Sequence, residues 1–172
     1  MIVAAHAGTG KTTLSRMYPH KVIDFVCMPY KYILSPDTDG GESGKANPKY
    51  DMNTDWPYNY VEAILETLRR TDKIILIPPI WHVLHILSNV SIPYILCYPQ
   101  RSAKEEYKRR YISRGNTEDF LYIFIGGWNR IIGICENDPH GQHIILKPHE
   151  FLSDVIMISK NCKPEVIIRA QL

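Results

Sequence analysis

Lys11 and Thr12 close a run of small residues, Ala5-His6-Ala7-Gly8-Thr9-Gly10-Lys11-Thr12, whose types and spacing carry a definite chemistry. Glycines let backbone N–H groups turn inward around an anion, and a helix starting just after them aims its unpaired first N–H groups at the same point. A lysine placed there reaches the outer phosphates of a triphosphate, and the next hydroxyl can hold a magnesium ion that bridges them. The spacing is that of the phosphate loop G-x-x-x-x-G-K-[ST], with Ala5 in the place of its first glycine. Alanine suits that place when its φ is negative, because a Cβ penalises positive φ. The candidates for holding a nucleoside triphosphate are Ala7, Gly8, Thr9, Gly10, Lys11, Thr12 and Thr13.

Two further groups could act on the same ligand. Asp24 ends an apolar stretch, Lys21 to Phe25, and a strand ending there would place the carboxylate at the ligand-binding edge of an α/β sheet. It then serves either as a magnesium or proton-accepting group, with Thr12 the other metal candidate, or as a cap for the turn. The stretch "IILIP" offers no acid of its own, which makes Asp24 the leading acidic candidate. Tyr107, Arg110 and Arg114 lie three and four residues apart and share a helical face. Arg110 and Arg114 read either as phosphate ligands, since a guanidinium fork stays charged and donates two bonds, or as a solvated face. Lys108 and Arg109 read as solvated, with Glu105 and Arg109 at i,i+4 spacing. His82 with His85, and His140 with His143, have no carboxylate or cysteine placed to complete a metal set and read as surface or packing residues. Trp56, Tyr58 and Tyr60 either wall a base pocket or pack at a helix start.

These residues need a frame to hold them. Ile2-Val3-Ala4 reads as a short buried strand, and residues 12 to 18 as a helix that Pro19 stops. Lys21 to Phe25, Lys73 to Pro78, Ile92 to Tyr98 and His143 to Leu146 read as further strands. Tyr58 to Arg70, Trp81 to Leu87, Ser102 to Arg114, a segment from Thr117 whose buried face runs to Trp128, and Glu150 to Ile158 read as helices. Residues 36 to 56 are rich in Gly, Pro, Asp and Asn, and read as a long loop centred on Gly40-Gly41. Continuous apolar strands alternating with helices imply an α/β fold, a mostly parallel sheet covered on both faces.

The totals agree with one domain over residues 1–172, 45% of them hydrophobic, enough for a sizeable core. A net charge of +2 is too small for a nucleic-acid surface, so no nucleic-acid partner is expected. Cys27, Cys97, Cys135 and Cys162 are scattered and suggest neither disulfides nor zinc. The chain shows no membrane-spanning run and no leader before the first strand, which reads as a cytoplasmic protein with no membrane partner.

The residues carry a resemblance along most of the chain. "HAGTGKTTL", "VIDF" with "YKY" after it, "NYVEAI", "KIILIP" with His82 nearby, "YILCYPQRSAKEEYKRRYISRGN", "WNRII" and "LKPHEFLSDVI" follow in order. In this the chain resembles the small phosphate-loop nucleoside and nucleotide kinases, especially the compact phage and gut-bacterial type. The resemblance implies a three-layer α/β/α kinase fold with a five-stranded parallel sheet of order 2-3-1-4-5, a lid helix over 101–116, ATP as donor and Mg2+. The acceptor it implies is a nucleoside monophosphate or another small hydroxyl or phosphate compound. Lys11, Asp24, Arg110 and Arg114 are then the catalytic candidates. Pro99-Gln100 and Gly115-Asn116 are the expected hinges of the lid. Ala5, and a third strand lacking the aspartate–glycine pair of adenylate kinases, depart from that pattern. The other function open to these residues is a phosphate-loop NTPase or nucleotide-binding regulator with no small acceptor.

Overall fold

Four consecutive small or branched apolar residues, Ile2 to Ala5, can bury both faces of a strand, and the structure builds outward from them. The computed structural model describes residues 1–34 and 50–158. Strand β1 is Ile2–Ala5, with all four side chains buried. Helix α1 (Lys11–Met17), strand β2 (Val22–Asp24) and the single turn α2 (Met28–Lys31) follow. Next come β3 (Tyr32–Leu34), β4 (Tyr50–Met52), α3 (Tyr58–Arg70), β5 (Ile74–Ile77), α4 (Trp81–Asn89) and β6 (Tyr94–Pro99). After a tight turn at Arg101–Ala103, the chain forms α5 (Lys104–Ser113), α6 (Glu118–Leu121), a wide helical turn over Tyr122–Gly126, α7 (Trp128–Glu136), β7 (Gln142–Leu146) and α8 (Leu152–Val155).

Five strands make one sheet in the order β2-β5-β1-β6-β7, and each neighbouring pair is parallel. β3 and β4 pair antiparallel as a separate hairpin between β2 and β5 in the chain. The sequence pattern gives five strands and not this hairpin, and the order 2-3-1-4-5 that the resemblance implies differs from the observed 2-5-1-6-7. The aromatic and branched residues Tyr32, Ile33 and Tyr50 supply the strand preference that the Gly- and Pro-rich surroundings hide. Residues 36–49 of the expected loop lie outside the described residues.

Alternation along the strands separates two cores. Ile2, Ala4, Ile75, Ile77, Leu96 and Tyr98 face α3, α4, α5 and α7. Val3, Ala5, Leu76, Ile95, Cys97 and Ile144 face α1 and α8, through Leu14, Leu152 and Val155. Helices on both faces explain why the strands read as unbroken apolar runs. Among the described residues, no helix is long and apolar enough to cross a membrane.

Further elements differ from their sequence reading, and the helix read over Glu150 to Ile158 is the single turn α8. The segment from Thr117 is not one helix: Thr117 caps α6 by accepting from the Phe120 amide, and the chain then widens into the turn at 122–126 before α7 starts. Gly127 permits that geometry, since a Cβ there would stand 2.6 Å from the Ile123 carbonyl oxygen. The helix expected over 102–114 is α5, and its charged composition suggests a lid with little to gain from packing. Tyr107 and Tyr111 correct this: both are fully buried among Phe124, Trp128 and the β1–α1 loop. Pro99 and Gln100, expected as one of its hinges, are tied into the sheet, with Pro99 in β6 and the Gln100 amide on the Leu146 carbonyl.

The Tyr107 ring fills space, while its buried hydroxyl has no hydrogen-bond partner among the described residues. Tyr107→Phe is expected to leave stability within about 0.5 kcal/mol of the parent, and Tyr107→Ala to cost about 3–5 kcal/mol. Urea unfolding of both variants checks this.

Candidate functional site

The β1–α1 loop is shaped by two left-handed glycines. Gly8 has φ +82° and Gly10 φ +96°, and Gly10 sits at the start of α1. Ala5 ends β1 in register with Cys97, and the described non-glycine residues with positive φ are Ser91 and His149, so the condition on an alanine at position 5 is met. The loop closes on itself through Thr9, whose hydroxyl donates to the His6 carbonyl at 2.8 Å. Lys11 Nζ folds back to donate to the Ala5 carbonyl at 2.6 Å and the His6 carbonyl at 3.0 Å. Among the described residues, the amides of Gly8, Gly10, Lys11, Thr12 and Thr13 donate to no protein acceptor. Unspent N–H groups beside a lysine have the chemistry that suits an oxyanion.

Asp24 is carried to the same place by β2. The Thr12 hydroxyl donates to Asp24 Oδ2 at 2.6 Å, which sets two oxygens of the kind magnesium takes side by side. Lys11 lies deep enough that burial pushes its ammonium down to about 8 from 10.5; the Asp24 carboxylate opposes that shift and the Arg114 guanidinium adds to it. Arg114 is exposed, and its guanidinium has no hydrogen bond or ion pair among the described residues. Lys11, Thr12, Asp24 and Arg114 therefore belong to one neighbourhood.

Arg110 is occupied elsewhere. Its guanidinium lies 3.9 Å from the Phe151 ring centre and 4.6 Å from that of Tyr107, pairs with Glu106, and donates to the Gly8 carbonyl at 3.2 Å and the Glu150 carbonyl at 3.3 Å. The sequence offers phosphate binding or a solvated face for this residue, and the structure shows neither. Arg110 holds the loop from behind. The pair that forms on α5 is Glu106–Arg110 rather than Glu105–Arg109, and Glu106 also accepts from the His149 amide at 2.8 Å. Glu106 escapes a sequence reading because its signal, an acid four residues before an arginine, is shared by Glu105.

His6 escapes it as well. It is buried beneath the loop among the rings of Tyr107, Phe124 and Trp128 at 5.6–5.9 Å. Burial pushes its imidazole down to about 4, against the Ala7 carbonyl contact, so it is neutral at pH 7. Of the two histidine pairs, His82, His85 and His140 are exposed, with the His85 ring stacked on Trp81, and His143 bridges the Tyr98 hydroxyl and the Asp138 carbonyl. Of the three aromatics near residue 58, Trp56 and Tyr60 stack and Tyr60 is buried, with its hydroxyl on the Phe25 carbonyl, while Tyr58 points to solvent. Among the described residues, no three His, Cys, Asp or Glu side chains are grouped to hold a metal ion by themselves.

Comparison with protein families, curated proteins and solved structures found no match to the chain.

The Arg110 clamp makes a testable claim about pH. Burial pushes the Glu106 carboxyl up, but the His149 amide and Arg110 outweigh it and hold the group below its ordinary 4.5. The stabilisation is therefore complete above pH 4.5 and is lost as pH falls through the lower folded value. Arg110→Ala is expected to cost about 2–3 kcal/mol at pH 7, and the gap to the parent is expected to narrow below pH 4.5. Denaturant unfolding of both proteins from pH 3 to 7 checks it.

Proposed function

We propose that the β1–α1 loop is a phosphate loop that binds ATP, and that the protein is a small-molecule kinase whose acceptor is a nucleoside monophosphate. The observation that carries the reading is the convergence of unspent loop amides, Lys11 and the Thr12–Asp24 pair at the carboxyl edge of β1 and β2. Ligands of open parallel sheets bind at that edge. The strand order supports it too: with the β3–β4 hairpin set aside, the five sheet strands run 2-3-1-4-5, the order that the resemblance to small kinases implies.

Phosphoryl transfer asks for position and charge neutralisation rather than covalent help. The loop amides cradle the phosphates, and Lys11 exchanges the Ala5 and His6 carbonyls for phosphate oxygens. Thr12 and Asp24 fit a magnesium ion, two hard oxygens that leave its other positions to water and phosphate; when bound, that ion neutralises charge on the transferring group. Asp24 also stands where it can accept a proton from an attacking hydroxyl. Arg114 is a free cation within reach, and Arg110 acts through the loop's shape.

The reading is tested by incubating the protein with ATP, magnesium and a panel of nucleoside monophosphates and nucleosides. ADP release that depends on one acceptor is expected. Release indifferent to every acceptor would identify an NTPase, and none at all would remove the kinase reading. Lys11→Ala is expected to lower turnover on the order of 100-fold or more with the fold intact. Asp24→Asn is expected to lower kcat on the order of 100-fold while changing nucleotide affinity little.

The buried Lys11 adds a proton linkage. Phosphate beside the ammonium raises its pKa above the free value of about 8, so ATP binding takes up a proton near and above that pH and affinity falls as pH rises past 8. Calorimetry in buffers of different ionisation heat is expected to show the uptake in the parent and not in Lys11→Met.

A further inference from the structure

A second recess lies away from the β1–α1 loop. It is a cavity of about 510 Å³ between α4 and α7, with Tyr94, Trp81, His85, Arg130, Asp138 and His140 among its walls. Tyr94 begins β6 and Asp138 precedes β7, so the floor lies at the amino ends of these strands. The loop that carries Lys11 leaves the carboxyl end of β1, at the opposite edge of the parallel sheet.

The wall chemistry is one-sided. Asp138 is the acid in the wall, and its carboxylate is fully engaged by the Tyr94 hydroxyl at 2.9 Å, the His140 amide at 3.0 Å and the Gly141 amide at 2.8 Å. Arg130 is exposed, and its guanidinium has no hydrogen bond or ion pair among the described residues. It sits in the recess with the imidazoles of His85 and His140. Trp81 is 53% exposed and lies parallel to His85, at 6° with ring centres 5.3 Å apart, which gives the recess a flat aromatic side. Opposite, α7 contributes Gly133, and a Cβ there would stand 3.2 Å from the Arg101 guanidinium. An unpaired guanidinium and a flat aromatic face in the walls of one recess suit a ligand with an anionic group and a planar ring. The volume falls within the range of small-molecule sites.

We infer that this recess is a second ligand site, separate from the phosphate loop, that takes a nucleoside monophosphate with its base along Trp81 and its phosphate on Arg130. No free carboxylate stands beside Arg130 in the wall of the recess. Its role is binding, and it does not depend on what the β1–α1 loop does.

The chain's three tryptophans give three indole N–H signals in a nitrogen–proton correlation spectrum, and Trp81→Phe assigns the one that matters. AMP or UMP added to the full chain is expected to move the Trp81 signal saturably. Adenosine and inorganic phosphate are each expected to need at least about tenfold higher concentration, because each makes one of the two contacts. Arg130→Ala is expected to weaken the response about tenfold, while Lys11→Ala leaves it intact. A Trp81 signal unmoved by millimolar AMP and UMP would overturn the site. So would a response kept in Arg130→Ala, or one lost in Lys11→Ala.

Discussion

Gly8 takes a left-handed φ, and Tyr111 and Tyr107 stand 2.8 and 3.2 Å from where its Cβ would be. That approach sets the order of everything near the site, because no residue with a side chain lets α5 come so close to the loop. Once α5 is seated, Arg110 reaches the Gly8 and Glu150 carbonyls and joins the loop to the segment after β7. Phe151 then lies against Gly10, and the Leu152 amide donates to the Thr9 carbonyl at 2.9 Å. The loop is held from β1 below, α5 on one side and the start of α8 on the other. A backbone fixed from three directions keeps its N–H groups aimed without a ligand to organise them.

Holding the site open in this way has an energetic consequence at Lys11. Its ammonium is buried against carbonyls, and its pKa of about 8 against an ordinary 10.5 means that the free protein binds that proton less readily than the unfolded chain does. Between these values the stability of the free protein rises with pH, which marks the charged lysine as a destabilising element until an anion joins it. Local strain and unpaired donors of this sort collect where a ligand completes the structure. Asp24 limits the cost, since its carboxylate favours the charged lysine while accepting from Thr12.

The layers and the parallel sheet are legible in the sequence because both faces of each strand are buried, and burial on both faces demands an unbroken apolar run such as "IILI". The loop is legible because its glycines, lysine and threonine are local in sequence. What escapes depends on contacts between distant residues. Arg110 reads as a free cation until Phe151 and Glu150, some forty positions on, close over it. Tyr107 and Tyr111 sit in a charged stretch, and their burial follows from the missing side chain of Gly8 about a hundred positions earlier. The β3–β4 hairpin is hidden by its own turn-forming surroundings, and the π-like turn before α7 by a periodicity that runs on through it. His6 looks like filler in a small-residue run, although it is the loop's anchor in the aromatic cluster.

The central claim, that the β1–α1 loop is a preformed cradle for phosphate, is tested most directly at its backbone. A nitrogen–proton correlation spectrum recorded while a non-hydrolysable ATP analogue and magnesium are added reports each amide separately. The account predicts large saturable shifts of the Gly8, Gly10, Lys11 and Thr12 amides, with Tyr107 and Tyr111 nearly unmoved because α5 is already seated. Loop amides that stay in place while the analogue binds elsewhere, or that fail to respond at all, would contradict it.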